Sequence, residues 1–309
     1  MVYVNPAPVS QPSASNALDK KKAHIILTIK SDETQFAKQF FAGFSSSTPE
    51  KITAFEYRGD NSRILSQKVK DINPDLVLTI GELPIFSSVS DFPTVPFLIS
   101  SFPNAGLQSK SNVISISHAI SDAQKISMLK LLFPKIKTIG TIYDAIYAKE
   151  TFETFAKEAT AQGLKVLSIK VTSDTEAMSN IRGFQGKIDA YYYLSDNTTG
   201  QSHVAKSVFD FLKKHNIPSL SSDSSHSQLG ALITVAPDPI LLGEKASKHA
   251  HDILEQGKIT HKSIALDQNE YILSLSLTGA KQFGIPQADL FTLTQQAAID
   301  KGWKVVWNK

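Results

Sequence analysis

Residues 189–237 read DAYYYLSDNTTGQSHVAKSVFDFLKKHNIPSLSSDSSHSQLGALITVAP. The aromatic, apolar run at 190–194 has the length and composition of a buried strand. It ends in the polar turn Ser195-Asp196-Asn197-Thr198-Thr199, after which a helix opens. An Asp/Asn/Thr group at such a junction gathers side-chain acceptors, a hydroxyl and the free N–H groups of a helix start in one small volume. That chemistry serves equally a helix cap and a binding site for a polar ligand.

The first half of the chain carries the same pattern. Strands are expected at 24–29, 52–57, 75–80, 95–100 and 112–117, with helix-like spacing at 34–45 and 61–70. The series continues at 138–143, 165–171, 190–194, 217–220 and 231–235. Strand starts near 24, 52, 75 and 95 recur near 138, 164, 189 and 217, offsets of 114, 112, 114 and 122. Pro74-Asp75-Leu76-Val77-Leu78 parallels Ile188-Asp189-Ala190-Tyr191-Tyr192, and Val95-Pro96-Phe97 parallels Ile217-Pro218-Ser219. Two similar α/β units therefore follow one another. Alternating strands and helices predict parallel sheets covered on both faces, with ligands beyond the carboxyl ends of the strands. If the units face each other, Gly81-Glu82 and Asp196-Asn197 look across a common cleft.

After Val235, Pro237-Asp238-Pro239 starts a long amphipathic helix and Gly257 stops it. Strands at 263–266 and 271–275 and a short helix at 278–283 are too few for a third domain. They return to complete the two units, so the chain crosses between them more than once and forms a hinge. The expected organisation is a flexible leader at 1–22, lobe 1 from 23–118 plus 238–276, and lobe 2 from 119–237 plus 277–309.

Composition narrows the function. Apolar residues make up 41% and charged residues 20% of 309, as in ordinary globular chains. The net charge of +3, without a basic stripe beyond Lys20-Lys21-Lys22, gives no footprint for nucleic acid. No cysteine is present, which excludes disulfides and thiolate chemistry. The leader has no apolar core, so it is not an intact signal peptide; it fits either the segment left behind when a signal or anchor is removed or, if Met1 is the natural start, the leader of a cytoplasmic protein.

In order, DLVLTIGELP, VPFLIS, NVISISHAISDAQKISMLKLLFPKIKTIGTIYD, DAYYYLSDNTT, IPSLSSD and GALITVAPDPILLGEKASKHAHDILEQGK resemble the substrate-binding proteins of ABC transporters. The resemblance covers nearly all of 24–295. It implies a type I periplasmic-binding-protein fold: two Rossmann-like lobes, each a parallel sheet flanked by helices, joined by a multi-crossover hinge. It further implies a monomer that holds a small molecule, best an amino acid and in the family's better-known members an aromatic one, in the interdomain cleft and docks on a membrane permease outside the cytoplasm. A sensory module of the same fold, signalling to a receptor, is the alternative. The family's Asp-Asn-Thr turn is matched by Asp196, Asn197 and Thr198, and its Ser-Asp by Ser222-Asp223. Two departures stand out: Gly81-Glu82-Leu83-Pro84 where Gly-Thr-Pro is usual, and Ile116-Ser117-His118 where Val-Ser-Asp is typical.

Candidate ligand contacts in the first unit are Ser31, Asp32, Gly81, Glu82, Ser100 and His118. In the second, Asn197 and Thr198 suit a carboxylate, Asp196 or Asp223 an ammonium, and Tyr143 an apolar wall. Tyr191, Tyr192 and Tyr193 read as core. Phosphate-loop, dinucleotide, nucleophile-elbow and zinc-protease motifs are missing, so no enzyme, metal or cofactor is expected. Ser221–Ser227 with Asp223 and His226 holds the letters of a hydrolase triad, but such local crowding reads as a loop.

Overall fold

The structure, a computed structural model, describes residues 23–31, 34–59, 61–81, 86–100, 107, 109–117, 120–196, 198–267 and 270–308. The expected leader at 1–22 and the candidates Asp32, Glu82, His118 and Asn197 lie outside them.

The first unit contributes β1 (Ile25–Lys30), α1 (Gln35–Ser47), β2 (Lys51–Glu56), α2 (Ser62–Ile72), β3 (Leu76–Ile80), α3 (Phe86–Asp91), β4 (Phe97–Ser100) and β5 (Val113–Ile116). The second contributes α4 (Asp122–Leu132), β6 (Thr138–Asp144), α5 (Lys149–Ala161), β7 (Lys165–Val171), α6 (Asp174–Asn180), β8 (Ala190–Tyr193), α7 (Ser202–Lys214), β9 (Ser219–Ser221), α8 (His226–Leu229) and β10 (Ile233–Pro237). Then come α9 (Pro239–Gln256), β11 (Ser263–Ile264), β12 (Tyr271–Ser276), α10 (Leu277–Gln282), α11 (Gln287–Lys301) and β13 (Lys304–Asn308).

One sheet runs β11-β5-β4-β3-β1-β2 and the other β13-β12-β10-β9-β8-β6-β7. Within them, β5-β4-β3-β1-β2 and β10-β9-β8-β6-β7 have the same order, so the repeat is structural. It extends to side chains. Asp75, leading into β3, accepts the amide of Ile25 at 2.9 Å; Asp189, leading into β8, accepts those of Lys137 and Thr138, both at 2.8 Å. In each unit one carboxylate ties down the entry of the first strand beside it. Both sheets are parallel except that β12 runs antiparallel to β10. Every residue of β3, β4 and β8 is buried, as expected where helices cover both faces.

Helix caps follow the sequence signals. The Thr34 and Ser121 hydroxyls and the Asn61 amide oxygen accept backbone N–H groups at the starts of α1, α4 and α2. Asp238 caps α9 ahead of Pro239, and Gly257 ends it in the left-handed conformation. α9 returns to the first unit and crosses α1 closely. A Cβ on Gly43 would lie 2.2 Å from the Ile240 carbonyl oxygen, and one on Gly243 would lie 2.2 Å from that of Phe40. Only glycine at both positions lets these backbones touch.

The chain thus passes from sheet to sheet three times, after β5, after β10 and after β11. The expected boundary needs one correction. The sequence places residues 271–276 in lobe 1, yet β12 pairs with β10 in the second sheet. Its alternating burial suits an antiparallel partner beside an otherwise open edge. The C-terminal α11 and β13 are absent from the sequence-based expectation, and β13 extends that same sheet beside β12.

Candidate functional site

The strand order reverses between β1 and β3 in one sheet and between β6 and β8 in the other. In doubly wound sheets the crevice at such a reversal, outside the carboxyl ends, is where ligands sit. Residues at these two points are Ser31 and Gly81 on the first sheet, and Asp144 and Asp196 on the second.

On the second sheet the ends of β6 and β8 are laced together. Asp196 Oδ1 accepts the amides of Thr198 at 2.9 Å and Thr199 at 2.7 Å, and its Oδ2 accepts the amide of Asp144 at 2.8 Å. Asp144 is itself buried: Oδ1 accepts the Ile146 amide at 2.8 Å, and Oδ2 accepts the Thr198 hydroxyl at 2.6 Å. Thr199 closes the turn by donating its hydroxyl to the Leu194 carbonyl at 2.6 Å. The expected helix start is displaced, since α7 begins only at Ser202, with Gln201 at the cap position and no cap bond from its side chain. Asp196 therefore organises a turn, with both oxygens already accepting backbone amides.

Asp223, after β9, is different. Its Oδ1 accepts the amide and hydroxyl of Ser225 at 2.8 and 2.7 Å. Among the described residues no donor bonds its Oδ2, and the side chain is 35% exposed. This is the carboxylate at the strand ends with an oxygen to offer.

Tyr143, the expected apolar wall, is buried and stacked on Phe152 with ring centroids 4.1 Å apart and planes at 5°. Its ring is committed to the core. Tyr191, Tyr192 and Tyr193 are core residues as expected. Sequence reasoning missed the adjoining turn, where Ile146 is 73% and Tyr147 61% exposed directly after Asp144. Two large apolar side chains in succession on a strand-end turn were the available signal.

The first sheet brings Ser31, Gly81 and Ser100 together. The Ser31 amide donates to the Ile80 carbonyl at 3.0 Å, and the Gly81 amide to that of Ser100 at 3.0 Å. Gly81 has φ +90°, a conformation that excludes most side chains at this bend. Ser31 also lines a cavity of about 330 Å³ with Lys30, Lys38, Phe41, Glu56 and Arg58.

Residues 43–291 match the family described as ABC transporter substrate binding protein. The chain belongs to that family. This substrate-binding protein is 26% identical over 196 residues, 62% of its length, to the tyrosine-binding protein of Clostridioides difficile (strain R20291). The match spans little more than half, 55%, of that relative. Among solved structures it is similar to an ABC domain in complex with L-Trp from Streptococcus pneumoniae, with 21% identity and a TM-score of 0.68 over 92% of this chain and 100% of that one. It is also similar to the ligand-free, open form of a substrate-binding protein with adhesive properties from Clostridium difficile, with 20% identity and a TM-score of 0.73 over 93% and 100%. These structural likenesses establish the fold.

The triad letters of the substrate-binding protein do meet, in another role. Ser221 Oγ lies 2.8 Å from His226 Nδ1 and accepts the Asp223 amide at 3.1 Å. The imidazole's other nitrogen, Nε2, lies 3.7 Å from Asp223 Oδ2. Ser221 and His226 are buried, and Tyr193 and Phe209 pack edge-on against the imidazole. A sealed hydroxyl cannot attack a substrate; the set staples the Asp223 loop to the core. Burial lowers the His226 pKa, opposed by the nearby Asp223 charge. Among the described residues there is no cluster of three metal-ligating side chains, and no helix is long and apolar enough to cross a membrane.

Proposed function

We propose that this substrate-binding protein captures an amino acid with an aromatic side chain between its two lobes and presents it to the permease of an ABC importer on the extracytoplasmic side of the membrane. The observation that carries the reading is Asp223, 35% exposed, whose Oδ2 accepts no hydrogen bond from the described residues and has His226 Nε2 3.7 Å away, at the carboxyl-end edge of the sheet that also carries exposed Ile146 and Tyr147. A carboxylate and apolar side chains on one edge of a sheet suit a molecule with an ammonium at one end and a ring at the other. The tyrosine-binding relative and the L-Trp-bound structure support this ligand class.

Capture proceeds by closure of the lobes about the three crossing segments. Ligand contacts to both lobes favour the closed state, and the bound population shifts accordingly. One chain supplies both walls, so the working unit is a monomer.

A thermal-shift screen of the 20 amino acids, nucleosides and sugars tests the proposal. A ligand at ~100 times its dissociation constant stabilises the fold by about 2.7 kcal/mol. Shifts with tyrosine, tryptophan or phenylalanine are expected. A melt that moves only with sugars or nucleosides would sink the amino-acid reading, and one unmoved by every compound would favour a protein-facing sensory role.

A further inference from the structure

We infer that Lys125 is a positioning residue for the ligand loop, tying the first crossing between the lobes to Ser222 and hence to Asp223. The inference rests on the binding role proposed for Asp223. Lys125 lies in the first turns of α4, the helix that starts once the chain has crossed from β5. It is 6% exposed. Its ammonium is 2.8 Å from Asp122 Oδ1 and 3.0 Å from Ser222 Oγ, and it stands 5.0 Å from the centroid of the Tyr192 ring. The Tyr192 hydroxyl donates to the same Asp122 oxygen, while its ring stacks on Phe155 with centroids 4.1 Å apart. Four polar groups from α4, β8 and the loop after β9 thereby converge on one point.

Stability does not account for this cluster. Removing an ammonium and a carboxylate from water is costly, and burial accordingly lowers the Lys125 pKa against the opposing pull of Asp122. Replacing a buried ion pair with well-packed apolar groups is commonly neutral or stabilising. An apolar set cannot, however, hold the Ser222 hydroxyl at a fixed point. The ammonium does so, and Ser222 is bonded in sequence to Asp223. His226 and Ser221 anchor the far side of the same loop, so Lys125 fixes its near side relative to the crossing. Lys125 thereby joins the Asp223 loop to α4, the first helix after the crossing from β5.

The test removes the polar cluster as a unit, with Lys125→Met, Asp122→Leu and Tyr192→Phe combined. The melting temperature is expected to stay at or above that of the native chain. Calorimetry with L-tyrosine and L-tryptophan should show affinity at least tenfold weaker, and the Asp223 and Ser225 amides should exchange with solvent at least tenfold faster without ligand. Affinity and exchange within twofold of native overturn the inference, as does faster exchange with unchanged affinity. If the native chain binds neither amino acid, the proposed function fails by itself and the exchange rates alone decide. The chain has no cysteine, so a Lys125→Cys variant, aminoethylated while unfolded and then refolded, restores an ammonium at this site alone. Recovery of affinity supports the assignment; a folded product without recovery overturns it.

Discussion

Asp196 and Asp144 hold each other's turns: Asp196 Oδ2 accepts the Asp144 amide at 2.8 Å, while Asp144 Oδ2 accepts the hydroxyl of Thr198, two residues beyond Asp196. Asp196→Ala strips three backbone amides of their acceptor. Hydrogen bonds to charged groups contribute roughly 1.5–3 kcal/mol each and do not add fully, so a loss of about 3 kcal/mol is expected. Urea unfolding measures it. A variant as stable as the native chain would show that Asp196 does not organise this turn.

Asp223→Asn should behave in the opposite way. Oδ1 is kept for Ser225, so the melt moves little, whereas the charge facing the ligand ammonium is lost. The expected weakening for tyrosine or tryptophan is roughly 1.5–3 kcal/mol, about 10- to 150-fold, read by calorimetry.

Tyr147→Ala removes a 61% exposed ring. Exposed substitutions of this kind leave stability within about 0.5 kcal/mol. Affinity for aromatic amino acids should nevertheless fall about tenfold relative to that for small ones. An unchanged preference would remove the turn after β6 from the pocket.

At the helix crossing, Gly43→Ala drives a methyl to 2.2 Å from the Ile240 carbonyl oxygen. Neither backbone can yield without separating α1 from α9, so a loss of about 3 kcal/mol or failure to fold is expected. Circular dichroism melts distinguish this from a tolerated change.

His226 makes stability depend on pH. Its unfolded pKa is 6.5 and its folded pKa lies lower. Between the two the unfolded chain binds more protons, so stability is full above about pH 6.5 and falls as pH drops toward the folded value. His249 has the same sign through burial. His226→Gln should therefore flatten, without abolishing, the slope of melting temperature between about pH 5 and 7.

The repeat was legible because each strand is a short β-rich run and the runs recur at nearly constant offset. α11 and β13 were not, since Gln287–Lys301 carries only a weak apolar stripe and Lys304–Asn308 is short and half exposed. The site was readable as a neighbourhood but not as roles. Asp196 and Asp223 are the same residue type after adjacent strands, and only their hydrogen bonds separate a turn organiser from an open carboxylate. Tyr143 and Tyr147 stand four residues apart, one stacked in the core and one exposed. Lys125, on a helix, carries no mark in the sequence that it is buried.

The return of α9 and β11 to the first sheet also bears on synthesis at the ribosome. The five parallel strands β6 to β10 are all available by Pro237, while α1 waits for α9 until Gln256 and β5 waits for β11 until Ile264. The half made second can close its central sheet before the half made first has its full set of neighbours. Until then, the α1 face that will meet α9 is uncovered, including Phe40 and Phe44. A nascent chain stalled short of residue 256 should be the aggregation-prone species, and a chaperone that shields α1 over that interval would protect it.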